Sequence, residues 1–223
     1  DNCHISSHVV INGPTKIGQG NRIFQFSSIG EDCQDLKYAG EATELIIGDN
    51  NTFRECCTIH RGTIQDQGIT SIGSNNLFMA YTHVAHDCMV GSHCIMANNA
   101  SIAGHVHVGD YAILGGMSGV HQFCHIGAHS FIAANSLVVK DVPPYVMASG
   151  DSAKPFGLNS EGLKRRGFSK DVISSIKKAY RIVYRKGLTV DEAFAQIAEE
   201  LPVSSELTRF TDFIKTSNRG IIR

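Results

Sequence analysis

A large apolar residue recurs at every sixth position through most of the chain, and this repeat restricts the possible folds more than any other feature. Apart from two interruptions, the repeat contains twenty anchor positions, all of them apolar: Ile5, Ile11, Ile17, Ile23, Ile29, Ile47, Phe53, Ile59, Ile72, Phe78, Val84, Val90, Met96, Ile102, Val108, Leu114, Val120, Ile126, Ile132 and Val138. At an apolar content of 42%, chance would give this run with a probability on the order of 10⁻⁸ before correction for the choice of phase. The repeat therefore reflects the backbone geometry of the folded chain.

A period of six does not fit the face of an α-helix, but it fits short strands whose alternate side chains point inward, each followed by a turn. Three such strands form one triangular coil. When coils stack at the strand spacing of about 4.8 Å, residues 18 apart in the sequence become neighbours. The sequence thus predicts a parallel β-helix.

The residue four positions after an anchor also points inward, and it is often small. The small residues at this position are Ser27, Cys33, Cys57, Thr82, Cys88, Cys94, Ala100, Ala112, Ser118, Cys124, Ser130 and Ser136. Of the seven cysteines, only Cys56 leaves this phase, and Cys3 keeps it by extrapolation upstream. We therefore interpret the cysteines as small core residues rather than reactive thiols.

Two insertions interrupt the repeat, near residues 34–46 and 64–71. Each follows the third strand of a coil, so both leave the β-helix at the same corner. The third-strand anchors are Ile29, Ile59, Val84, Ile102, Val120 and Val138. Because binding and catalytic residues concentrate on loops held by a rigid scaffold, this corner is the candidate functional edge.

Five histidines lie beside the third-strand anchors: His60, His83, His86, His105 and His121. A single histidine is more often an exposed or structural residue, but five in register with both insertions favour a site. We interpret the other histidines as structural: His4, His8, His93, His107, His125 and His129.

The repeat ends at Pro143 and Pro144, because proline cannot donate to a strand ladder. We predict a β-helix domain over residues 1–150 and a helical domain over 151–223. Within the helical domain, capping residues and helix-ending glycine and proline residues predict one helix from Ser169 to Gly187, a second from Thr189 to Pro202 and a third over 206–216.

Charge is distributed unevenly between the two parts of the chain. Residues 1–159 carry 7 Lys and Arg against 13 Asp and Glu, whereas residues 160–223 carry 13 against 8. A basic tail on an acidic body suits an acidic protein partner better than nucleic acid. The basic residues of the first long helix also fit a solvated helix face, and both interpretations stay open.

No apolar stretch is long enough to span a bilayer, and no signal peptide is evident. The odd number of cysteines, without zinc-site or redox spacing, predicts a cytoplasmic protein. The chain starts at Asp1 within a repeat, so we expect further residues upstream.

Several motifs together resemble UDP-N-acetylglucosamine O-acyltransferases, the first enzymes of lipid A biosynthesis. The resemblance extends from near Ser7 to Arg223, and the segments that carry it are residues 34–41 (QDLKYAGE), 58–63 (TIHRGT), 83–88 (HVAHDC), 103–105 (AGH), 120–123 (VHQF) and 161–168 (EGLKRRGF). The six-residue repeat alone indicates only the superfamily of hexapeptide-repeat acyltransferases. The first and last of these segments are specific to this enzyme.

The resemblance implies a single-stranded left-handed parallel β-helix followed by a C-terminal α-helical region. It implies transfer of a 3-hydroxyacyl chain from acyl carrier protein to the 3-hydroxyl of the sugar by direct attack on the thioester. His86 would be the general base and Asp87 its orienting partner. Gly104 would stabilise the oxyanion, since a glycine lets a backbone N–H approach a ligand closely.

The resemblance also implies the substrate-binding residues: Asp35, Lys37, His60, His83, His105, His121, Gln122, Asn159, Glu161, Arg165 and Arg166. Ala134 matches the position that sets acyl-chain length. The family is a homotrimer with sites between adjacent β-helices. No metal and no cofactor are expected beyond the phosphopantetheine of the donor carrier, and neither nucleic acid nor a transmembrane segment is involved. The resemblance places further coils upstream of Asp1.

Other assignments account for part of the pattern. The sibling UDP-acylglucosamine N-acyltransferase shares the hexads and a catalytic histidine, but the loop over residues 34–38 argues against it. A zinc enzyme of the γ-carbonic anhydrase type also places histidines between β-helices. A noncatalytic β-helix would leave the histidine edge unexplained.

Overall fold

A computed structural model describes all 223 residues and shows a β-helix built from three sheets. Sheet A contains β1 (His4–Ile5), β4 (Arg22–Ile23), β7 (Thr52–Phe53), β10 (Leu77–Phe78), β13 (Ile95–Met96), β16 (Ile113–Leu114), β19 (Phe131–Ile132), β21 (Val146–Ser149) and β22 (Lys154–Leu158). Sheet B contains β2 (Val10–Ile11), β5 (Ser28–Glu31), β8 (Thr58–His60), β11 (His83–Val84), β14 (Ser101–Ile102), β17 (Gly119–Val120) and β20 (Leu137–Val138). Sheet C contains β3 (Thr15–Ile17), β6 (Glu44–Ile47), β9 (Ile69–Ile72), β12 (Met89–Val90), β15 (His107–Val108) and β18 (His125–Ile126).

The coils stack in the predicted register. Val84 pairs with Ile102 on the next coil, Ile102 with Val120, and Val120 with Val138. From Ile23 onward, every anchor is at most 3% exposed, so the anchors form the core of the β-helix. Ile5 and Ile11 are 50% and 39% exposed, because the first coil is stacked on one side only.

The small inward positions are also buried, which agrees with the predicted role of the cysteines. Cys57, Cys88, Cys94 and Cys124 lie inside the β-helix, and Cys33 is buried at the start of the first insertion. Burial raises the pKa of Cys88 and of Cys94 to about 12, so these thiols are uncharged at neutral pH. The two other cysteines, in the first coil and at a corner, are exposed and half-buried.

A ladder of three buried asparagines runs along one inner corner of the first coils. The backbone N–H and side-chain amide of Asn51 donate to Oδ1 of Asn21, at 2.9 and 3.1 Å, and the amide also donates to the carbonyl of Gly73 at 2.9 Å. The backbone N–H of Asn76 donates to Oδ1 of Asn51 at 2.9 Å. The ladder satisfies backbone groups at the corners, where strand pairing does not reach them.

Both insertions leave the β-helix between sheet B and sheet C, as predicted. The first covers residues 32–43 and the second covers residues 61–68. Part of each predicted insertion is instead strand, since β6 and β9 pair over four residues each. The true loops are therefore shorter, and they lie side by side.

The predicted domain boundary at residue 150 falls inside a hairpin of sheet A. After Pro143 and Pro144, β21 rejoins the sheet by pairing with β19, and β22 then pairs with β21 in the antiparallel direction. The prolines end the hexads but do not end the sheet, because β21 begins beyond them. The β-structure therefore extends to Leu158.

Four helices follow the hairpin: α1 (Ser160–Arg165), α2 (Lys170–Arg185), α3 (Val190–Glu200) and α4 (Ser205–Thr216). Ser169 caps α2, and Thr189 with Glu192 forms the capping box of α3, which agrees with the predicted helices. The short α1 was not predicted. No helix combines the length and apolar character that a membrane crossing requires.

We expect Asn51→Ala to lower the free energy of unfolding by about 2 to 4 kcal/mol, because it removes the hydrogen bonds to the buried Gly73 carbonyl and the buried Asn76 N–H and one of the two bonds to Oδ1 of Asn21. Chemical denaturation measures the change. Asn98→Ala is the matched control, because Asn98 is exposed and its side chain makes no hydrogen bond. Equal stability of the two variants would contradict the role of the ladder.

Candidate active site

An open cleft of about 720 Å³ lies on the outer face of sheet B beneath the first insertion. Eight of the predicted site residues line it: Asp35, Lys37, His60, His83, His86, Gly104, His121 and Gln122. The stacking of β8, β11, β14 and β17 brings the histidines among them onto one edge, as the register predicted, whereas Asp35 and Lys37 come from the first insertion. Nine further lining residues were not predicted as site residues: Gln34, Leu36, Ala85, Ser101, Ile102, Ala103, Gly119, Val120 and Leu137.

His86 and Asp87 form a hydrogen-bonded pair at the wall of the cleft. Nδ1 of His86 lies 2.8 Å from Oδ2 of Asp87. When Nδ1–H donates to the carboxylate, the other ring nitrogen, Nε2, keeps its lone pair. The pair therefore has the arrangement of a general base and its orienting group.

Asp87 is fixed by the second insertion and by β9. Its Oδ1 accepts a hydrogen bond from the backbone N–H of Thr63 at 2.8 Å, and its Oδ2 accepts one from the Thr63 hydroxyl at 2.6 Å. Its own N–H donates to Oγ1 of Thr70 at 2.8 Å. Burial alone would raise the pKa of Asp87, but the hydrogen bonds from His86 and Thr63 outweigh burial and hold this pKa below its ordinary value.

Gly104 lies directly against the His86 ring on the next coil. A Cβ atom at Gly104 would lie 2.5 Å from Cε1 of His86 and 2.6 Å from Nε2, so only glycine fits beside the ring in this position. The Gly104 N–H donates to no other group of the chain. A backbone donor next to the basic nitrogen is what an oxyanion site requires.

His60 and His83 form a second pair beside His86, with ring centroids 5.0 Å apart. Nδ1 of His83 is hydrogen-bonded to Oγ1 of Thr58 at 2.7 Å. Burial, and then the neighbouring His83, lowers the pKa of His60 to about 4. Burial, and then His86, also lowers the pKa of His83, so both rings can act as uncharged hydrogen-bonding groups at neutral pH.

His105 does not line this cleft. Its Nδ1 lies 2.9 Å from Oδ2 of Asp66 on the second insertion, and its Nε2 lies 3.9 Å from Oδ2 of Asp87. Its ring meets His86 edge-on at 5.0 Å and stacks on Phe123 at 4.3 Å. His105 thus supports the His86–Asp87 pair from behind and borders a second cavity of about 240 Å³. The contact with Asp66 was not predicted.

Ligand atoms of His86, Asp87 and His105 lie within 4.8 Å of one another, a spacing that could hold a metal ion. Both carboxylate oxygens of Asp87 already accept hydrogen bonds from Thr63 or His86. The donor set therefore fits an oriented base better than a metal centre, in which these bonds would have to be replaced.

The first insertion forms the roof over the polar end of the cleft. Oδ1 of Asp35 accepts a hydrogen bond from the N–H of Lys37 at 2.9 Å. The Arg61 side chain anchors the loop from below, by donating to the carbonyl of Gly30 at 2.5 Å, to the Tyr38 hydroxyl at 3.1 Å and to the Asp32 carboxylate. This anchoring leaves the Lys37 side chain exposed at the cleft.

The four predicted residues of the tail lie at a different corner of the triangle, between sheet C and sheet A. Asn159 caps α1, and its amide donates to the carbonyl of His129 at 2.9 Å. Arg166 donates to the carbonyl of Tyr111 at 3.0 Å and lies over that ring. Glu161 and Arg165 are exposed. The chain therefore does not bring these residues to its own histidine cleft.

Ala134 is likewise outside the cleft. It is an exposed residue at the corner between sheets A and B, and the lining residue from the same coil is Leu137.

A β-helix of hexapeptide coils with a histidine–aspartate pair in an open cleft is typical of one class, the hexapeptide-repeat acyltransferases. Residues 69–104 match the family model described as bacterial transferase hexapeptide. Residues 141–222 match the model described as UDP N-acetylglucosamine O-acyltransferase, domain 2.

Solved structures identify the family more closely. The chain is similar over its whole length to the UDP-N-acetylglucosamine O-acyltransferase of Moraxella catarrhalis, with 52% identity, a TM-score of 0.95 and coverage of 89% of that protein. The enzyme from Francisella novicida is 48% identical, with a TM-score of 0.95, and 82% of it is covered. The Bacteroides fragilis enzyme is 42% identical, with a TM-score of 0.97 and coverage of 87%, and each match includes 100% of this chain. The chain belongs to the UDP-N-acetylglucosamine O-acyltransferase family and is an acyltransferase.

We expect Gly104→Ala to lower acyltransferase kcat by about a hundredfold or more, because the added methyl group displaces the His86 ring. Steady-state kinetics measures the loss, and the melting temperature shows whether the fold is retained. Gly157→Ala is the control, since a Cβ there meets no atom within 4 Å. A fully active Gly104→Ala variant would contradict the close packing of this glycine against the base.

Proposed function

We propose that the chain transfers a 3-hydroxyacyl group from acyl carrier protein to the 3-hydroxyl of UDP-N-acetylglucosamine, the first step of lipid A biosynthesis. The observation that carries this proposal is the His86–Asp87 pair held against Gly104 in an open cleft. The relatives from three bacteria, all described as UDP-N-acetylglucosamine acyltransferases, support the choice of acceptor.

The proposed reaction needs one base and one oxyanion donor. Nε2 of His86 takes the proton of the sugar hydroxyl as the oxygen attacks the thioester carbonyl. The Gly104 N–H donates to the resulting oxyanion. When the intermediate collapses, the C–S bond breaks and the proton on His86 passes to the leaving thiolate. Because the thioester is already an activated acyl group, no cofactor is needed and His86 returns to its starting state.

The remaining residues of the cleft position the acceptor. Lys37 brings a positive charge to the polar end, where the diphosphate would bind. His60 and His83, whose pKa values are lowered, offer neutral ring nitrogens to sugar hydroxyls. His121 lines the opposite side, and its Nδ1–H donates to the carbonyl of Gln122 at 3.1 Å. His105 acts through the catalytic pair.

We propose that a second copy of the chain completes each site, in a homotrimer. Asn159, Glu161 and Arg165 lie at one corner of the triangle and the histidines at another, so they share a site only across two chains. A row of partly buried apolar side chains on the outer face of sheet A provides a surface for such contact: Leu77, Ile95, Ile113 and Phe131. A head-to-tail contact between two different faces closes into a ring of three when successive copies are related by a threefold rotation.

We also propose that the basic tail binds the acidic acyl carrier protein. Helix α2 carries Lys177, Lys178, Arg181 and Arg185, and Lys186 follows it. Opposite charges on the two proteins would steer their encounter without adding much buried area. The seven free thiols fit a reducing compartment, and we place the reaction in the cytoplasm.

We expect His86→Ala to lower kcat by about a hundredfold or more with 3-hydroxyacyl carrier protein and UDP-N-acetylglucosamine as substrates, because the base is lost. Mass spectrometry of the acylated sugar nucleotide measures the rate. His4→Ala is the control, since His4 is exposed in the first coil and does not line the cleft. Absence of product with the unaltered protein, or equal rates for His86→Ala and the control, would overturn the proposal, as would a requirement for stoichiometric zinc.

We expect an inactive His86→Ala protein and an inactive Arg165→Ala protein to regain activity when their subunits are mixed. In random trimers, about one quarter of the sites would combine an intact histidine edge with an intact tail from the next subunit. The rate after co-refolding, compared with each variant refolded alone, measures the recovery. No recovery in mixed trimers would show that each chain forms a complete site by itself.

A further inference from the structure

The outer face of sheet B changes from polar to apolar along the β-helix. One column of paired residues runs through Thr58, His83, Ser101, Gly119 and Leu137, each on the next coil. The last four of these residues line the cleft. The column thus begins at the hydrogen-bonded histidines and ends at a large aliphatic side chain.

Leu137 folds back toward the reaction centre over the space left by a glycine. A Cβ atom at Gly119 would lie 3.5 Å from Cδ1 of Leu137, which is ordinary contact distance. Leu137 remains 46% exposed, whereas the anchors of the same coils are at most 3% exposed. Its side chain therefore forms a surface at the end of the cleft rather than part of the core.

The chain itself closes the cleft behind Leu137. The N–H of Leu137 donates to the carbonyl of Gly150 at 2.9 Å, and its carbonyl accepts a hydrogen bond from the N–H of Ala153 at 2.7 Å. The turn between β21 and β22 thus lies where the next residue of the column would be if the β-helix had a further coil. Leu137 is the last side chain of the column before this turn.

We infer that Leu137 sets the length of the acyl chain that the cleft accepts, an inference that rests on the proposed function. From a thioester carbonyl at His86 and Gly104, the paired column offers the hydrocarbon tail a path over Gly119 to Leu137. The coil of Leu137 lies about 14 Å from the coil of His83, because three coil spacings of about 4.8 Å separate them. The tail would meet the Leu137 methyl groups at its end.

This assignment differs from the one that places chain-length control at Ala134. Ala134 does not line the cleft of its own chain and is exposed at the corner between sheets A and B. Leu137 acts within the cleft that holds its own His86. Leu137 therefore limits the length of the acyl chain even if the small side chain of Ala134 does not.

The test measures rates with acyl carrier proteins that carry 3-hydroxyacyl chains in two-carbon steps. We expect Leu137→Ala to shift the preferred chain by roughly two carbons toward longer chains, and to raise the rate ratio of the longer to the original chain by about tenfold or more. Leu137→Phe should shift the preference toward shorter chains. Val139→Ala is the matched control, because it removes apolar volume from the same coil outside the cleft.

The outcomes separate this inference from the proposed function. If the unaltered protein acylates the sugar nucleotide but both Leu137 variants keep its chain preference, the role of Leu137 is wrong and the proposed function stands. If an Ala134→Gly variant shifts the preference and the Leu137 variants do not, control lies across the subunit boundary. If the unaltered protein acylates nothing, the proposed function fails and this inference fails with it. One substitution makes the side chain smaller and the other makes it larger, so the inference can still be tested if one of the two variants folds poorly.

Discussion

The rest of the structure depends on the backbone hydrogen bonds that stack each coil on the next in a fixed register. Neighbouring coils pair strand to strand, so that Val84, Ile102, Val120 and Val138 follow one another along a single line. A shift of one residue would turn every anchor from the core to the solvent. Because the anchors are almost fully buried, that shift would expose all of them to water and remove the hydrophobic stabilisation of the core. The register is therefore fixed.

Catalytic geometry follows from this rigidity together with the insertions. The coils alone place His86 beside Gly104, at a distance that tolerates no side chain on the glycine. The insertions then add groups that the repeat cannot supply. Thr63 holds the Asp87 carboxylate, and Asp66 holds the ring of His105 behind it. A regular scaffold thus sets the positions, and the second insertion orients the Asp87 carboxylate and the His105 ring beside His86.

The architecture and the histidine edge could be predicted from the sequence because both depend on a constant period. The anchors, the buried cysteines and the corner of the insertions all follow from counting by six. Contacts that cross an insertion could not be predicted in this way. Thr63 and Asp87 are 24 residues apart, and Asp66 and His105 are 39 apart, neither of which is a multiple of 18. Their contacts depend on the path of a loop, for which the sequence has no periodic signal.

Two other features escaped prediction for physical reasons. The strand after Pro143 and Pro144 rejoins sheet A, since proline forbids donation at its own position but not beyond it. The tail residues Asn159 and Arg166 match a nucleotide site by sequence, yet within one chain they cap a helix and bind the carbonyls of His129 and Tyr111. A match in sequence identifies these residues, but it does not show whether they reach the cleft of their own chain.

The central claim is that His86 takes the proton of a sugar hydroxyl while Gly104 faces the thioester carbonyl. A crystal structure of the protein with UDP-N-acetylglucosamine tests it most directly. The account predicts the 3-hydroxyl oxygen at about 2.6 to 3.2 Å from Nε2 of His86, with the diphosphate toward Lys37. A sugar bound with that hydroxyl directed away from His86, or bound outside the cleft, would contradict it.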